Sequence, residues 1–127
     1  MTQNTTGKIK PYKEVGVGEV IANEAGGKQS KIRGRMTEVP PLALIEVSEV
    51  MALGATNYPR ESDGTPNWHN IDSMSNLDHC LEHAFNFLAM RNHPDLDKEE
   101  VDYMREEISH MAARALMALE MFIKETE

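Results

Sequence analysis

The most constraining stretch of this sequence is residues 39–54, an otherwise apolar segment in which Glu46 and Glu49 are the only charges. A Pro40–Pro41 pair is typical of the start of a helix and Gly54 of its end, so the stretch predicts a helix over about residues 41–55. Glu46 and Glu49 then share one face of that helix. Because a lone buried charge is very costly, these carboxylates must be paired, hydrogen-bonded or metal-bound. A hydrated stripe or a salt bridge elsewhere is the alternative to a functional site.

Two further segments have the periodicity of amphipathic helices. The first is expected to run from a cap at Ser73 or Ser75 to about residue 91, and the second from a capping pattern of Asp97 and Glu100 to about residue 124. The stripes expected to be buried are Met74, Leu77, Leu81, Ala84, Phe85 and Leu88 on the first, and Val101, Met104, Ile108, Met111, Ala112, Ala115, Leu119 and Phe122 on the second. The fold is therefore expected to be an all-α helical bundle.

Length and composition restrict the remaining possibilities. A chain of 127 residues is expected to form one domain, here over residues 26–127, after an irregular N-terminal arm of residues 1–25 with a short strand near residues 15–21. No run approaches 18 apolar residues and no signal-peptide core is present, so no membrane contact is expected. The single cysteine, Cys80, fits a reducing cytoplasm. A net charge of −8 is unfavourable for nucleic-acid binding but compatible with cation-assisted chemistry on a small anion.

The last predicted helix carries a second candidate pair of metal ligands. Glu107 borders the apolar stripe and His110 lies on the same flank, whereas Glu106 points toward water. Metal sites in helical bundles use such pairs, three residues apart, from facing helices. Together with Glu46 and Glu49 they would suit one or two Mg²⁺ or Mn²⁺ ions. The alternative is a surface glutamate beside a histidine at a packing boundary.

The middle helix carries a motif with a different interpretation. His79, Glu82 and His83 fit the H-x-x-E-H pattern, in which two histidines bind zinc and the glutamate acts as a base. The same residues also form the polar face of an amphipathic helix, where they would be solvated or would face a nucleotide.

Residues 26–35 form a basic segment without acidic residues, which is expected to be flexible and to close over phosphates. Its cations are Lys28, Lys31, Arg33 and Arg35, and they lack the spacing of a P-loop. A solvated linker is the alternative. Trp68 could stack on a base or plug the edge of the core.

These residues resemble the MazG-like all-α nucleoside triphosphate pyrophosphatases, and within them the phage dATP/dGTP diphosphohydrolases, including the MazZ-type enzymes. That family carries E-E-x-x-E on one helix and E-x-x-D on a later one, all binding Mg²⁺. Here Ile45 stands where the family has an extra glutamate, and His110 replaces the aspartate. The likeness spans about residues 26–123, and its other carriers are Gly27, Lys28, Pro40, Pro41, Gly54, Ala55, Tyr58, Asn67, Trp68 and His83. Imidazole is a softer ligand than carboxylate. His110 therefore indicates either a metal preference shifted toward Mn²⁺ or a residue that contacts the metal ligands without binding the metal itself.

The resemblance implies metal-dependent hydrolysis of a purine (deoxy)nucleoside triphosphate, (d)GTP or dATP, to the monophosphate and pyrophosphate. Mg²⁺ or Mn²⁺ would lie on Glu46, Glu49, Glu107 and His110, and Glu49 would orient the attacking water as a general base. Lys28, Lys31 and Arg33 would contact phosphates, while Asn67, Trp68 and His83 would contact base and sugar. A homodimer or homotetramer is expected, in the host cytoplasm if the chain is phage-encoded. A zinc hydrolase built on His79, Glu82 and His83, and a non-catalytic helical interaction module, stay open as alternatives.

Overall fold

The structure is a computed structural model that describes residues 20–30, without the side chain of Ser30, and residues 34–127. Its elements are the strands β1 (Val20–Ala22) and β2 (Lys28–Ser30) and the helices α1 (Pro41–Asn57), α2 (Ser73–Arg91) and α3 (Lys98–Glu125), with short 3-10 turns at Met36–Glu38 and Asn67–Asn70. The predicted all-α class is confirmed, since this part of the chain is mostly helical with one small sheet.

The two strands form an antiparallel hairpin in which Val20 is opposite Ser30. Gly26 takes φ of 88° in the turn, a backbone conformation that favours glycine. The basic segment was expected to be flexible, and the strand that it contains was not predicted. The strand predicted at residues 15–21 overlaps β1 at its end, and residues 15–19 lie outside the described part of the chain. Residues 31–33 also lie outside it, so the prediction of a closing segment stays a prediction.

The helix boundaries follow local signals closely. The helix α1 begins at the predicted residue and extends to Asn57, two residues beyond the expected end. The cap of α2 is Asp72, whose carboxylate accepts a hydrogen bond of 2.7 Å from the Ser75 amide, so the prediction of a serine cap was wrong. The capping box of α3 is confirmed, because Asp97 and Glu100 each accept a hydrogen bond from the other's backbone amide.

Residues Pro40–Thr126 form one compact unit in which both α1 and α2 pack against α3. The helices α2 and α3 are antiparallel, because Glu125 at the end of α3 accepts hydrogen bonds from the Ser73 amide at 3.0 Å and its hydroxyl at 2.7 Å. The buried apolar side chains of the described residues are Val47, Met104, Ala113 and Ala118. None of the helices in the described part is long and apolar enough to cross a membrane.

The apolar stripes predicted to be buried lie largely on the outside of this unit. Met74 is 64% exposed and Phe85 is 66% exposed, and the prediction of burial was equally wrong for Leu77, Leu81, Leu88, Val101, Ile108, Ala115, Leu119 and Phe122. Met104 is buried as predicted, and Ala84, Met111 and Ala112 are half-buried. The physical reason is that α2 turns its polar face toward α3, where its buried side chains find hydrogen-bond partners.

Candidate functional site

The carboxylates of α1 lie at its contact with α3. Glu46 Oε1 accepts a hydrogen bond of 2.9 Å from Arg105 Nε, and the Glu49 carboxyl group also interacts with Glu46. The Arg105 guanidinium holds the pKa of Glu46 below its ordinary value. The Arg105 side chain is 67% exposed and that of Glu46 is 30% exposed. The salt bridge that the sequence left open is therefore present, and its exposure makes it a weak one.

Glu107 lies in a buried polar cluster between α2 and α3. Its carboxylate lies 2.7 Å from His83 Nδ1 and accepts a hydrogen bond of 3.4 Å from Asn86, and the Tyr103 hydroxyl also interacts with it. Burial raises the pKa of Glu107, but the hydrogen bonds from His83, Tyr103 and Asn86 outweigh it and lower the pKa below its ordinary value. Glu106 is exposed, so the predicted orientation of the two glutamates is confirmed.

His83 connects this cluster to His110. The two imidazole rings lie 5.1 Å apart between centroids, with an angle of 34° between their planes. His83 therefore contacts Glu107 through its Nδ1 atom, and its imidazole ring packs against the ring of His110. This arrangement fixes the His83 ring on α2 and places His110 at the edge of the neighbouring pocket.

A pocket of about 560 Å³ opens beside this cluster, between the C-terminal half of α1, the turn at residues 67–70, α2 and α3. Its aromatic walls are Tyr58 and Trp68, and Asn67 contributes an amide. Two guanidinium groups, from Arg60 and Arg114, also line it. A largely apolar pocket with a few polar groups is the usual form of a small-molecule site.

The arginine on the α3 side of the pocket, Arg114, is held by the fully buried side-chain amide of Asn76. Arg114 Nη1 donates a hydrogen bond of 3.0 Å to the side-chain oxygen of Asn76, which is 0% exposed. The Asn76 amide nitrogen donates to the backbone oxygens of Asp72 at 3.1 Å and Ile71 at 3.4 Å. The sequence analysis missed both side chains. The available signal was an arginine inside an alanine-rich helix segment and an asparagine on the polar face of α2.

The residues predicted to contact the substrate do not all lie in the pocket. Asn67 and Trp68 line the pocket, together with His110, whereas His83 contacts Glu107 instead. Lys28 is exposed on β2, in a unit separate from the helices. Lys31 and Arg33 lie outside the described residues.

The predicted metal ligands are not gathered into one cluster. Within residues 20–30 and 34–127, no three His, Cys, Asp or Glu side chains lie close enough together to hold a metal ion. His79, Glu82 and His83 belong to no such group among these residues, and the zinc hydrolase stays an untested alternative. The carboxylates of Glu46, which is half-buried, and of Glu49, which is exposed, are of the type that suits a hard cation such as Mg²⁺, which is commonly bound through one or two carboxylates while keeping several waters.

Comparison with known proteins gives one match. The family model described as dATP/dGTP diphosphohydrolase, N-terminal, matches residues 23–127, which include the strand β2, all three helices and the pocket described above. Neither the curated proteins nor the solved structures give a match.

Proposed function

Because the chain belongs to the dATP/dGTP diphosphohydrolase family, N-terminal domain, we propose that it hydrolyses a purine deoxynucleoside triphosphate to the monophosphate and pyrophosphate. The family assignment supports a diphosphohydrolase acting on a purine deoxynucleotide. The pocket beside α1 supplies a place for the nucleoside, and the carboxylates of α1 supply a place for the cation that accompanies the phosphates.

The spacing of these two features along α1 is the observation that carries the proposal. Glu46, Glu49, Leu53 and Asn57 recur at intervals of three and four residues, so the carboxylates share a face with pocket-lining residues. Glu46 and Gly54 are eight residues apart, which is about 12 Å along the helix. That separation is comparable with the distance between the phosphates and the base of an extended nucleotide. One helix face can therefore hold both ends of the substrate.

The proposed cation is Mg²⁺ or Mn²⁺ on Glu46 and Glu49, with Glu107 and His110 as the further ligands that the resemblance implies. Such an ion neutralises phosphate charge and lowers the pKa of a bound water when it is present. Glu49 is the more exposed of the two α1 carboxylates and is the proposed base that accepts a proton from the attacking water. Glu46 would exchange its contact with Arg105 for the cation, which leaves the guanidinium available to the phosphates.

The remaining contacts follow the geometry of the pocket. Trp68 and Tyr58 offer ring faces for stacking on the base, and Asn67 offers both a donor and an acceptor. Lys28, Lys31 and Arg33 stay proposed phosphate contacts on the strength of their charge alone. His83 is better assigned to holding Glu107 than to the substrate.

A panel of nucleotides tests the reaction. Purified protein is incubated with dGTP, dATP, GTP and ATP in the presence of Mg²⁺ or Mn²⁺, and the products are separated by ion-exchange chromatography. The proposal expects monophosphate and pyrophosphate in equal amounts, from a deoxypurine substrate, and no turnover after chelation of the metal. Release of a diphosphate with phosphate, or of a nucleoside with tripolyphosphate, would contradict it. A folded protein that turns over none of these nucleotides would favour the non-catalytic module.

The outward apolar stripes support a second proposal, that two or four copies of the chain assemble. Leu81 and Phe85 lie on successive turns of α2, and both are more than half exposed within one copy. Contiguous exposed apolar surface of this kind marks an interaction site. Light scattering at micromolar concentration should give a dimer or tetramer, and Leu81→Glu with Phe85→Glu should give a monomer, whereas Glu82→Gln on the same helix should not. A monomeric wild-type protein would overturn the proposal.

A further inference from the structure

Arg114 is a pocket residue whose position is set by the protein before any ligand arrives. One of its terminal nitrogens is bound to Asn76, and Asn76 is itself held by two backbone oxygens at the start of α2. A planar guanidinium anchored at one nitrogen presents its remaining N–H groups in a fixed direction. A solvated surface arginine would lack this anchoring.

The remaining donors of Arg114 find no carboxylate among the described residues, where Asn76 is its one hydrogen-bond partner. The neighbouring pocket wall is aromatic or apolar at Trp68, Ile71 and Met117. Half-buried donors without an acceptor carry a desolvation cost that a ligand with matching acceptors removes. The pocket therefore favours a ligand that places hydrogen-bond acceptors opposite Arg114.

The phosphates of the proposed substrate are assigned to a different part of the unit. Arg105, which contacts Glu46, precedes Arg114 by nine residues on α3, or by about 13 Å along the helix. Arg114 instead shares the pocket with Trp68 and Tyr58, the proposed stacking residues. The ligand atoms that accept hydrogen bonds from Arg114 are therefore expected on the base rather than on the phosphates.

We propose that Arg114 donates paired hydrogen bonds to O6 and N7 of guanine, and that it makes the pocket select guanine over adenine. This inference rests on the proposed function and names the base that the same site prefers. Guanine presents two acceptors on that edge, and an arginine fork matches both of them. Adenine presents the N6 amino donor where guanine has O6, so one donor of Arg114 would face another donor.

Two substitutions of Arg114 test the selection. Arg114→Met removes the donors while keeping a long side chain, and it should lower kcat/KM for dGTP about ten- to a hundredfold relative to that for dATP. Arg114→Gln supplies the amide that pairs with N6 and N7 of adenine, so it should shift the dGTP to dATP ratio further in the same direction. The matched control is Arg60→Gln, on the other arginine of the pocket, whose Nη1 donates to the Gly64 carbonyl at 2.6 Å. Arg60→Gln should leave the ratio of kcat/KM for dGTP to that for dATP unchanged, even if it changes both values.

A modified substrate provides an independent test of the same contact. 7-Deaza-dGTP lacks the N7 acceptor, so the wild-type protein should use it less well than dGTP, while Arg114→Met should no longer distinguish the two. Equal losses for dGTP and dATP in both Arg114 variants, at an unchanged melting temperature, would overturn the inference and assign Arg114 to phosphate or to the fold.

Binding of monophosphates separates this inference from the proposed reaction. Trp68 is the only tryptophan of the chain and lines the pocket, so its fluorescence reports dGMP and dAMP binding without turnover. Preferential dGMP binding that is lost in Arg114→Met supports the inference even if no triphosphate is hydrolysed, and only the proposed function would then fail. Hydrolysis of dGTP and dATP with equal efficiency, or equal binding of the two monophosphates, would remove the inference and leave the function standing.

Discussion

Two glutamates predicted to share one metal site, Glu46 and Glu107, occupy opposite environments. Glu46 lies at the surface and is paired with Arg105, a guanidinium that is itself mostly exposed. Glu107 is 8% exposed and is held by His83, Asn86 and Tyr103. Both carboxyl groups have a lowered pKa. For Glu46 the exposed guanidinium of Arg105 is the main cause, whereas for Glu107 several hydrogen bonds together overcome the effect of burial.

The difference shows which carboxylate can accept a cation at low cost. Solvent screens an ion pair at the surface, so Glu46 can leave Arg105 with little loss of stability. Glu107 would have to give up charge-assisted hydrogen bonds in a buried site, where breaking a network is much more costly. The carboxylates of α1 are therefore the expected point of cation entry, and Glu107 also holds α2 against α3.

The largest effect is expected from the exposed side of this comparison. Glu46→Gln and Glu49→Gln should each lower kcat by about a hundredfold or more, because an amide keeps the shape of a carboxylate without its charge. Their melting temperatures should stay close to that of the wild type, since Glu49 is exposed and half-buried Glu46 contacts a mostly exposed arginine. Rates of dGTP hydrolysis at saturating Mn²⁺, with Glu106→Gln as the control, measure this. Near-normal turnover in either variant would remove these carboxylates from the site.

The buried side should respond in stability as well as in activity. Glu107→Gln leaves His83 without its charged partner, so we expect a loss of about 1–3 kcal/mol in the free energy of unfolding, together with a large loss of turnover. Glu106→Gln, next to it but exposed, should change neither. Denaturant unfolding and steady-state kinetics measure the two effects separately.

Titration with metal then distinguishes two roles for Glu107. If it binds the cation as the resemblance implies, the apparent affinity for Mn²⁺ should fall by about tenfold or more in Glu107→Gln. If it only holds the helices together, the metal affinity should be unchanged while stability falls. The same titration on His110→Asp should shift preference from Mn²⁺ toward Mg²⁺ if His110 is a ligand.

The contrast also shows what could be predicted from sequence. The start of α1, the capping box of α3 and the opposite orientations of Glu106 and Glu107 depend on neighbours a few residues away, and they were predicted correctly. The direction in which α2 faces was not, because it depends on pairs distant in the chain, such as His83 with Glu107. Periodicity places Leu81 on an apolar stripe but does not say whether this chain or another copy covers that stripe.

In the site, too, local features were predicted and contacts between residues distant in the chain were not. The carboxylate pair of α1 was visible because charge stands out in an apolar segment. Asn76 and Arg114 were not visible, since an asparagine on a polar face and a lone arginine carry no local sign of their contact across 38 residues. Arg105 was missed as the partner of Glu46 for the same reason.

A smaller effect is expected from Arg105→Met, which changes the partner of Glu46 and leaves the carboxylate in place. Because Arg105 and a cation compete for Glu46, the variant should bind Mn²⁺ several-fold more tightly in the absence of nucleotide. Its melting temperature should stay close to that of the wild type, because the ion pair is screened by solvent. Isothermal titration of Mn²⁺ into the wild type, Arg105→Met and Arg105→Lys measures the competition. An unchanged or weaker Mn²⁺ affinity in Arg105→Met would place the cation away from Glu46.

The smallest effect is a difference in the acid sensitivity of the two sites. Glu107 has a folded-state pKa below its ordinary value of 4.5, so it contributes stability above that value and loses it as the pH falls through the lowered pKa. The gap in melting temperature between the wild type and Glu107→Gln should therefore be largest above the ordinary pKa of 4.5 and should narrow as the pH falls through the lowered pKa. Glu46→Gln should show a much smaller gap, because its ion pair is exposed to solvent screening. Differential scanning calorimetry of the three proteins across this range measures both gaps. A gap for Glu107→Gln that does not change with pH would mean that the variant loses packing rather than a charged group, and the buried cluster would then contribute through shape alone.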